Sequence, residues 1–171
     1  MQMNLTLIGM PGSGKSTTGV ILAKRLSFGF VDTDVQIQVN RQKSLQQIID
    51  EGGLLHLRKI EEEEIRALDV RRHVIATGGS AVYSEKAMRH LADISTVVFL
   101  KADCDVLRER IHNFETRGIA KSLHQTFDEL FEERRPLYRR YARWTVDTNR
   151  TDPEETANII ASRFTGMSYG P

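Results

Sequence analysis

The segment Gly9-Met10-Pro11-Gly12-Ser13-Gly14-Lys15-Ser16 constrains this chain more than any other, because it has phosphate-loop spacing: glycine, four residues, then Gly-Lys-Ser. It follows the apolar run 5–8 and precedes an amphipathic stretch carrying Val20, Leu22, Ala23 and Leu26. A strand feeding a glycine-rich turn and then a helix aims backbone N–H groups and the positive helix end at an anion. Glycines let such a loop close tightly round a triphosphate. Lys15 is then expected to reach the β- and γ-phosphates, and the Ser16 hydroxyl to be a ligand of Mg²⁺. The chain reads as a nucleotide-binding protein.

Bulk properties narrow the class further. A length of 171 residues suits one domain spanning 1–171. A formal net charge of +1 supplies no global field for nucleic acid or an anionic membrane, so neither is expected as a partner. The lone cysteine, Cys104, forms no internal disulfide and fits a reducing compartment. A first strand beginning by about Leu5 leaves no room for a signal peptide, and no apolar run approaches the ~20 residues that span a bilayer. These features point to a cytoplasmic protein, expected to be a monomer.

Short apolar runs at 5–8, 28–31, 74–76, 97–100 and 145–146 alternate with helical patterns. The helical patterns lie at about 15–27, 34–51, 54–69, 84–91, 103–112, 124–141 and 153–164. Near-continuous apolar strands separated by helices predict an α/β fold, a parallel sheet covered on both faces. Asp152-Pro153-Glu154-Glu155 marks the start of the last helix, and 167–171 reads as a frayed tail. The least patterned stretch, 113–122, is long enough to form a lid.

Ligands of open α/β sheets bind at the carboxyl ends of the strands. That rule gathers the phosphate loop, Asp32-Thr33-Asp34, Gly78-Gly79-Ser80 and the segment after Leu100 into one pocket. Asp32 and Asp34, two apart, are expected on one side of an extended chain, where they can hold Mg²⁺ through water and orient or deprotonate a substrate hydroxyl. A helix cap plus a turn aspartate explains the same pair without chemistry. Gly78 and Gly79 can bring backbone N–H groups to a small substrate, or form a plain turn. Arg117 can close over a transferring phosphoryl group, whereas Arg58, Arg134 and Arg135 can clamp a carboxylate or merely solubilise helices. The run 61–64, four glutamates, reads as a solvated helix face. The five histidines lack spaced metal-ligand partners, Trp144, Tyr138 and Tyr141 read as packing groups, and Cys104, whose helix start can lower a thiol pKa, has no visible base partner and is given no role.

With these motifs in hand, the chain resembles the shikimate kinases, small-molecule kinases related to the nucleoside monophosphate kinases. The resemblance runs from Leu5 to about Ile160 and rests on 9–17, Asp32-Thr33-Asp34, Arg58, Ala76-Thr77-Gly78-Gly79, Arg117 and Arg134-Arg135-Pro136-Leu137-Tyr138. It implies a three-layer P-loop kinase fold with a five-stranded parallel sheet, a substrate-binding helical segment about 34–60 and a lid about 112–124. It also implies ATP-dependent phosphorylation of the shikimate 3-hydroxyl, giving shikimate 3-phosphate and ADP, with ATP and Mg²⁺ required. The catalytic set would be Lys15, Asp34 and Arg117. ATP would meet Gly12, Ser13, Gly14, Lys15, Ser16 and Thr17, with Arg110, Asn149 and Arg150 by the adenine. Shikimate would meet Asp34, Arg58, Gly78, Gly79 and Arg134, and the metal Ser16 and Asp32.

Four positions depart from the family pattern. Ser80 stands where a third glycine is usual, Leu54 where a glutamate is, and Leu57 where an aromatic is. Arg117 is followed by Gly118-Ile119 instead of Pro-Leu, which frees the backbone there. Two other readings therefore stand beside the first: a kinase of this build acting on another small hydroxy-acid or polyol, and a nucleotide-binding module without catalysis.

Overall fold

The β-branched and apolar runs pair as five strands: β1 (Asn4–Ile8), β2 (Gly29–Asp32), β3 (His73–Ala76), β4 (Ser95–Lys101) and β5 (Trp144–Asp147). The computed structural model describes residues 4–111, 121–122 and 124–168. The strands form one sheet in the order β2-β3-β1-β4-β5, every neighbouring pair parallel. Leu7 pairs with Ala76 on one side and Val98 on the other, so β1 lies at the centre.

Helices cover both faces. They are α1 (Lys15–Leu26), α2 (Thr33–Arg41), α3 (Leu45–Arg66), α4 (Glu85–Ile94), α5 (Cys104–Arg110), α6 (Phe127–Tyr141) and α7 (Pro153–Ser168). Alternation along the strands decides which side chain meets which layer. Leu5, Leu7, Val74, Val98 and Leu100 pack with Leu22 of α1 and Ile160 of α7. Ile8, Ile75, Val97 and Phe99 pack with Ile65, Met88, Leu91, Leu130 and Tyr138 on the other side. The expected three-layer sandwich is observed. A separate small core of Ile37, Ile48, Leu57 and Ile60 joins α2 to α3 beside the sheet.

Several boundaries differ from the sequence reading, each for a local reason. The helix expected over 34–51 breaks earlier, because Gln42 adopts a left-handed conformation and Ser44 opens α3 with a capping box to Gln47. Gly53 (φ 78) then interrupts α3, where a break was expected. Val20, expected on the buried face of α1, is exposed, and Gly19 takes that face against Phe30. The last helix runs on to Ser168 through part of the expected tail.

Asn4 anchors the entry to the central strand. Its side chain is buried, donates to the carbonyls of Val70 (2.7 Å) and Ile94 (3.0 Å), and accepts from the His73 N–H (3.0 Å). It therefore ties β1 to the segments entering β3 and β4. Asn4→Ala strands two carbonyls and one N–H, and is expected to lower stability by about 2–3 kcal/mol in urea denaturation. A midpoint equal to that of the unsubstituted chain would show that these bonds hold nothing together.

Candidate active site

At the carboxyl ends of β1, β2 and β3 the chain encloses a cavity of about 300 Å³. Its first wall is the loop between β1 and α1. Gly12 (φ 82) and Gly14 (φ 89) take backbone angles closed to most residues, and a Cβ on Gly12 would lie 2.6 Å from Ile111 Cγ1. Gly14 is the N-cap of α1 and has no side chain to satisfy the first N–H groups. With Gly12, Gly14, Lys15, Ser16 and Thr17 all lining the cavity, the positive end of α1 opens onto it. Lys15 is buried, its Nζ donating to the carbonyls of Gly9 (2.8 Å) and Met10 (2.9 Å) across the loop. Ser13 lies behind this wall, buried, its Oγ without a hydrogen-bond partner.

The two aspartates are both present, in a geometry other than the expected one. β2 ends at Asp32 and α2 starts at Thr33, so Asp34 sits in the first helical turn and not on an extended chain. Asp32 is the helix cap, its Oδ1 accepting from the Asp34 (3.0 Å) and Val35 (3.3 Å) N–H groups. Its other oxygen, Oδ2, accepts from Ser16 Oγ at 2.5 Å. One carboxylate thus caps α2 and also ties it to Ser16 at the start of α1. A hydroxyl and a carboxylate at the mouth of a phosphate loop are hard oxygen donors that suit Mg²⁺, which draws much of its shell from phosphate and water. Asp34 lines the cavity itself.

The third wall turns at Gly78-Gly79-Ser80. The sequence reading gave these glycines N–H groups for a ligand, but the Gly78 N–H is already bonded to Thr33 Oγ1 (3.2 Å). Space is what glycine supplies here. A Cβ on Gly78 would run into both Asp34 Oδ1 and Glu61 Oε1, and one on Gly79 would lie 2.8 Å from Arg134 Nη1. Tyr138, stacked on Phe99, donates to the Gly79 carbonyl at 2.7 Å and holds this turn in place.

The charges around that turn were only partly legible in the sequence. Arg134 is 1% exposed and lines the cavity, whereas Arg135 points outward to Glu132. Arg58 is half-buried; its guanidinium lies 3.7 Å from the centroid of Tyr83, and its Nε is buried without a partner. Glu61 overturns the expectation of a solvated face: it is 4% exposed, lines the cavity, and accepts from Ser80 Oγ. A signal existed, since Leu57, Glu61 and Ile65 recur every four residues on one helix face and all three are buried. Tyr83, on the short 3-10 helix Ala81–Tyr83, was not singled out at all.

At the opposite end, Arg110 lines the cavity and is held by the Thr148 carbonyl at 2.6 Å. Asn149 braces the same loop, accepting from the Asp103 N–H (2.7 Å) and donating to its carboxylate (3.0 Å). Neither Asn149 nor Arg150 lines the cavity. Arg117, Gly118 and the core of the expected lid lie outside the described residues. Cys104 runs against expectation, because burial and the neighbouring Asp128 push its thiol up to about 11.

Comparison with known proteins follows the same lines. A model of the shikimate kinase family matches residues 11–165. The chain is 39% identical to a shikimate kinase of Mycobacterium avium over 167 residues, covering 96% of this chain and 94% of that one. It is 34% identical to a shikimate kinase of Thermodesulfovibrio yellowstonii over 170 residues, covering 98% of each. Among solved structures it resembles shikimate kinase from Acinetobacter baumannii in complex with shikimate, with a TM-score of 0.91, 26% identity, and 99% and 97% of the two chains covered.

Glu61 also couples the site to pH. Burial and then the charge of Asp34 raise its pKa to about 7, while Ser80, Arg134 and Arg58 pull the other way. A carboxyl whose folded pKa exceeds its unfolded one binds its proton more tightly when folded, so its contribution is largest at low pH. Stability is expected to decline between pH 4.5 and 7, by at most roughly 1.4 kcal/mol per unit, and the decline should be absent from Glu61→Gln. Denaturation of both proteins across that window measures the difference, and parallel pH curves would contradict it.

Proposed function

The chain belongs to the shikimate kinase family, and from that premise we propose how its own residues transfer a phosphoryl group from ATP to the 3-hydroxyl of shikimate, giving shikimate 3-phosphate and ADP. One observation carries the reading: a single cavity has an anion-binding loop at one side and paired carboxylates beside a buried arginine at the other. Shikimate is a polyol with one carboxylate, so it needs hydroxyl acceptors at one end and cations at the other. Asp34 and Glu61 supply the first, and Arg134 with Arg58 the second.

In this mechanism Gly12, Gly14, Lys15, Ser16 and Thr17 receive the triphosphate, with Ser13 shaping the loop from behind. Arg110 and the 148–150 loop flank the base. Lys15 draws negative charge from the β- and γ-phosphates. Asp34 accepts the hydroxyl proton or orients that hydroxyl toward the phosphorus. Arg58 and Arg134 grip the carboxylate, while Gly78 and Gly79 leave room for the ring. Ser16 and Asp32 would hold Mg²⁺, which neutralises phosphate charge when bound. Arg117, outside the described residues, is assigned to the transferring phosphoryl group. Residues 34–60 serve as the substrate-binding segment and 112–124 as the lid of a single 1–171 domain. The Ser80 hydroxyl is taken up by Glu61, which fits shikimate as the acceptor despite the missing glycine. The enzyme works as a cytoplasmic monomer on a small molecule, with no nucleic-acid or membrane partner; among the described residues no helix is long and apolar enough to cross a membrane.

An ADP-release assay with shikimate and a panel of hydroxy-acids tests the reading directly. Rapid turnover of another acid and none of shikimate would refute it. Lys15→Ala should lose nearly all transfer, on the order of a thousandfold or more, with the thermal unfolding profile preserved. Arg134→Lys should raise KM for the acid about a hundredfold and leave KM for ATP within about threefold. A defect confined to ATP would place the acid clamp elsewhere.

A further inference from the structure

Ser80, one of the departures from the family pattern, lines the cavity and is 4% exposed. It stands at the N-cap of the short 3-10 helix, where a serine oxygen commonly accepts a backbone N–H. Its side chain makes no such bond. Other groups hold the turn: the Ala81 N–H donates to the Gly78 carbonyl (3.4 Å), the Tyr83 N–H to the Ser80 carbonyl (3.0 Å), and the Tyr138 hydroxyl to the Gly79 carbonyl (2.7 Å). The Ser80 hydroxyl is surplus to the local fold.

Its proton goes instead to Glu61 Oε2, on α3. Glu61 is equally deep, and a carboxylate there needs donors to keep its charge. The bond also sets direction. The terminal torsion of a glutamate is broad, so a carboxylate without an anchor at either oxygen can turn. With Oε2 anchored, Oε1 stands over Gly78, where Asp34 Oδ1 lies as well: both fall within 2.5 Å of the position a Cβ on Gly78 would take. The charge of Asp34 opposes ionisation of Glu61 at that spot, whereas Arg134 and Arg58 favour it. The Ser80 hydroxyl works on the side of the arginines, because an O–H donated to a carboxylate favours its charged form.

We infer that Ser80 is a positioning residue for the hydroxyls of the acceptor: its O–H fixes one oxygen of Glu61, so that the other stands beside Asp34 as a second hydrogen-bond acceptor. The inference rests on the proposed acceptor end of the cavity, where Ser80 acts through Glu61. A polyol can then meet two acceptor oxygens from two different helices at once. Without the Ser80 hydroxyl, Glu61 is free to turn from Asp34 or to keep its proton, and in either case the second acceptor is lost.

The test is calorimetric binding of shikimate, with steady-state kinetics alongside, on Ser80→Ala and Ser80→Gly, each made also in a Glu61→Gln background. Alone, both Ser80 substitutions should weaken shikimate about tenfold in Kd and KM, the low end for a hydrogen bond to a charged group. kcat and KM for ATP should stay within about threefold. The two variants share the lost hydroxyl and differ in backbone freedom, so matching losses belong to the hydroxyl. Ser80→Gly carries the test if Ser80→Ala unfolds. In the Glu61→Gln background the same substitutions should change Kd less than about twofold, since Ser80 acts only through Glu61. Binding needs no turnover, so that comparison holds even for an inactive background. Unchanged Kd in the single variants, a loss in Ser80→Gly beside a folded and unaffected Ser80→Ala, an undiminished loss in the Glu61→Gln background, or an equal loss for ATP would overturn the inference and leave the kinase reading intact. Neither binding nor turnover of shikimate by the unsubstituted enzyme would overturn both.

Discussion

Parallel pairing of β1 between β3 and β4 is the constraint on which the rest depends. In a parallel sheet every strand ends on the same edge, so the chain must leave β1, β2 and β3 side by side. The phosphate loop, the Asp32-Thr33-Asp34 turn and the Gly78-Gly79-Ser80 turn are neighbours for that reason alone. Their separation in sequence, about twenty and then forty-five residues, has no bearing on their separation in space. Asn4 and the two apolar layers hold that register, and the site inherits its precision from them.

Within the cavity the electrostatics are divided by element. Positive partial charge comes from the α1 N-terminus and Lys15, negative charge from Asp34 and Glu61, and positive charge again from Arg134, while Arg58 stacks on Tyr83 outside the lining. A substrate with an anion at one end and hydroxyls at the other matches the second and third zones, while a triphosphate matches the first. Burial of Glu61 raises its pKa first, and the charge of Asp34 across Gly78 adds to it. Ser80 and the two arginines limit that rise without removing it.

Motif-bearing residues were legible because their chemistry is carried by local spacing. Gly12, Gly14 and Lys15 could be assigned from eight consecutive letters, as the loop's geometry is written in its own backbone requirements. For Asp32 the sequence offered a helix cap or a metal-site carboxylate, and the structure shows the cap, with the second oxygen bonded to Ser16. Glu61 and Tyr83 were not recognised, for different reasons. Glu61 sat in a run of four glutamates of which Glu63 is exposed and Glu62 and Glu64 are half-buried, and composition hid the one that is fully buried. Tyr83 carries no motif; its meaning arises only when α3 and α6 deliver an arginine each to the same ring.

The sequence alone determined the alternation of strands and helices, the anion loop and the family to which the chain belongs, because each depends on residues close together along the chain. Tertiary structure decided which of the many charged side chains would be buried. Arg134 and Arg135 are adjacent and chemically identical, yet one is 1% exposed inside the site and the other pairs with Glu132 at the surface. Burying a charge is tolerated only where distant elements converge to offset its lost hydration, and that convergence is a property of the folded chain.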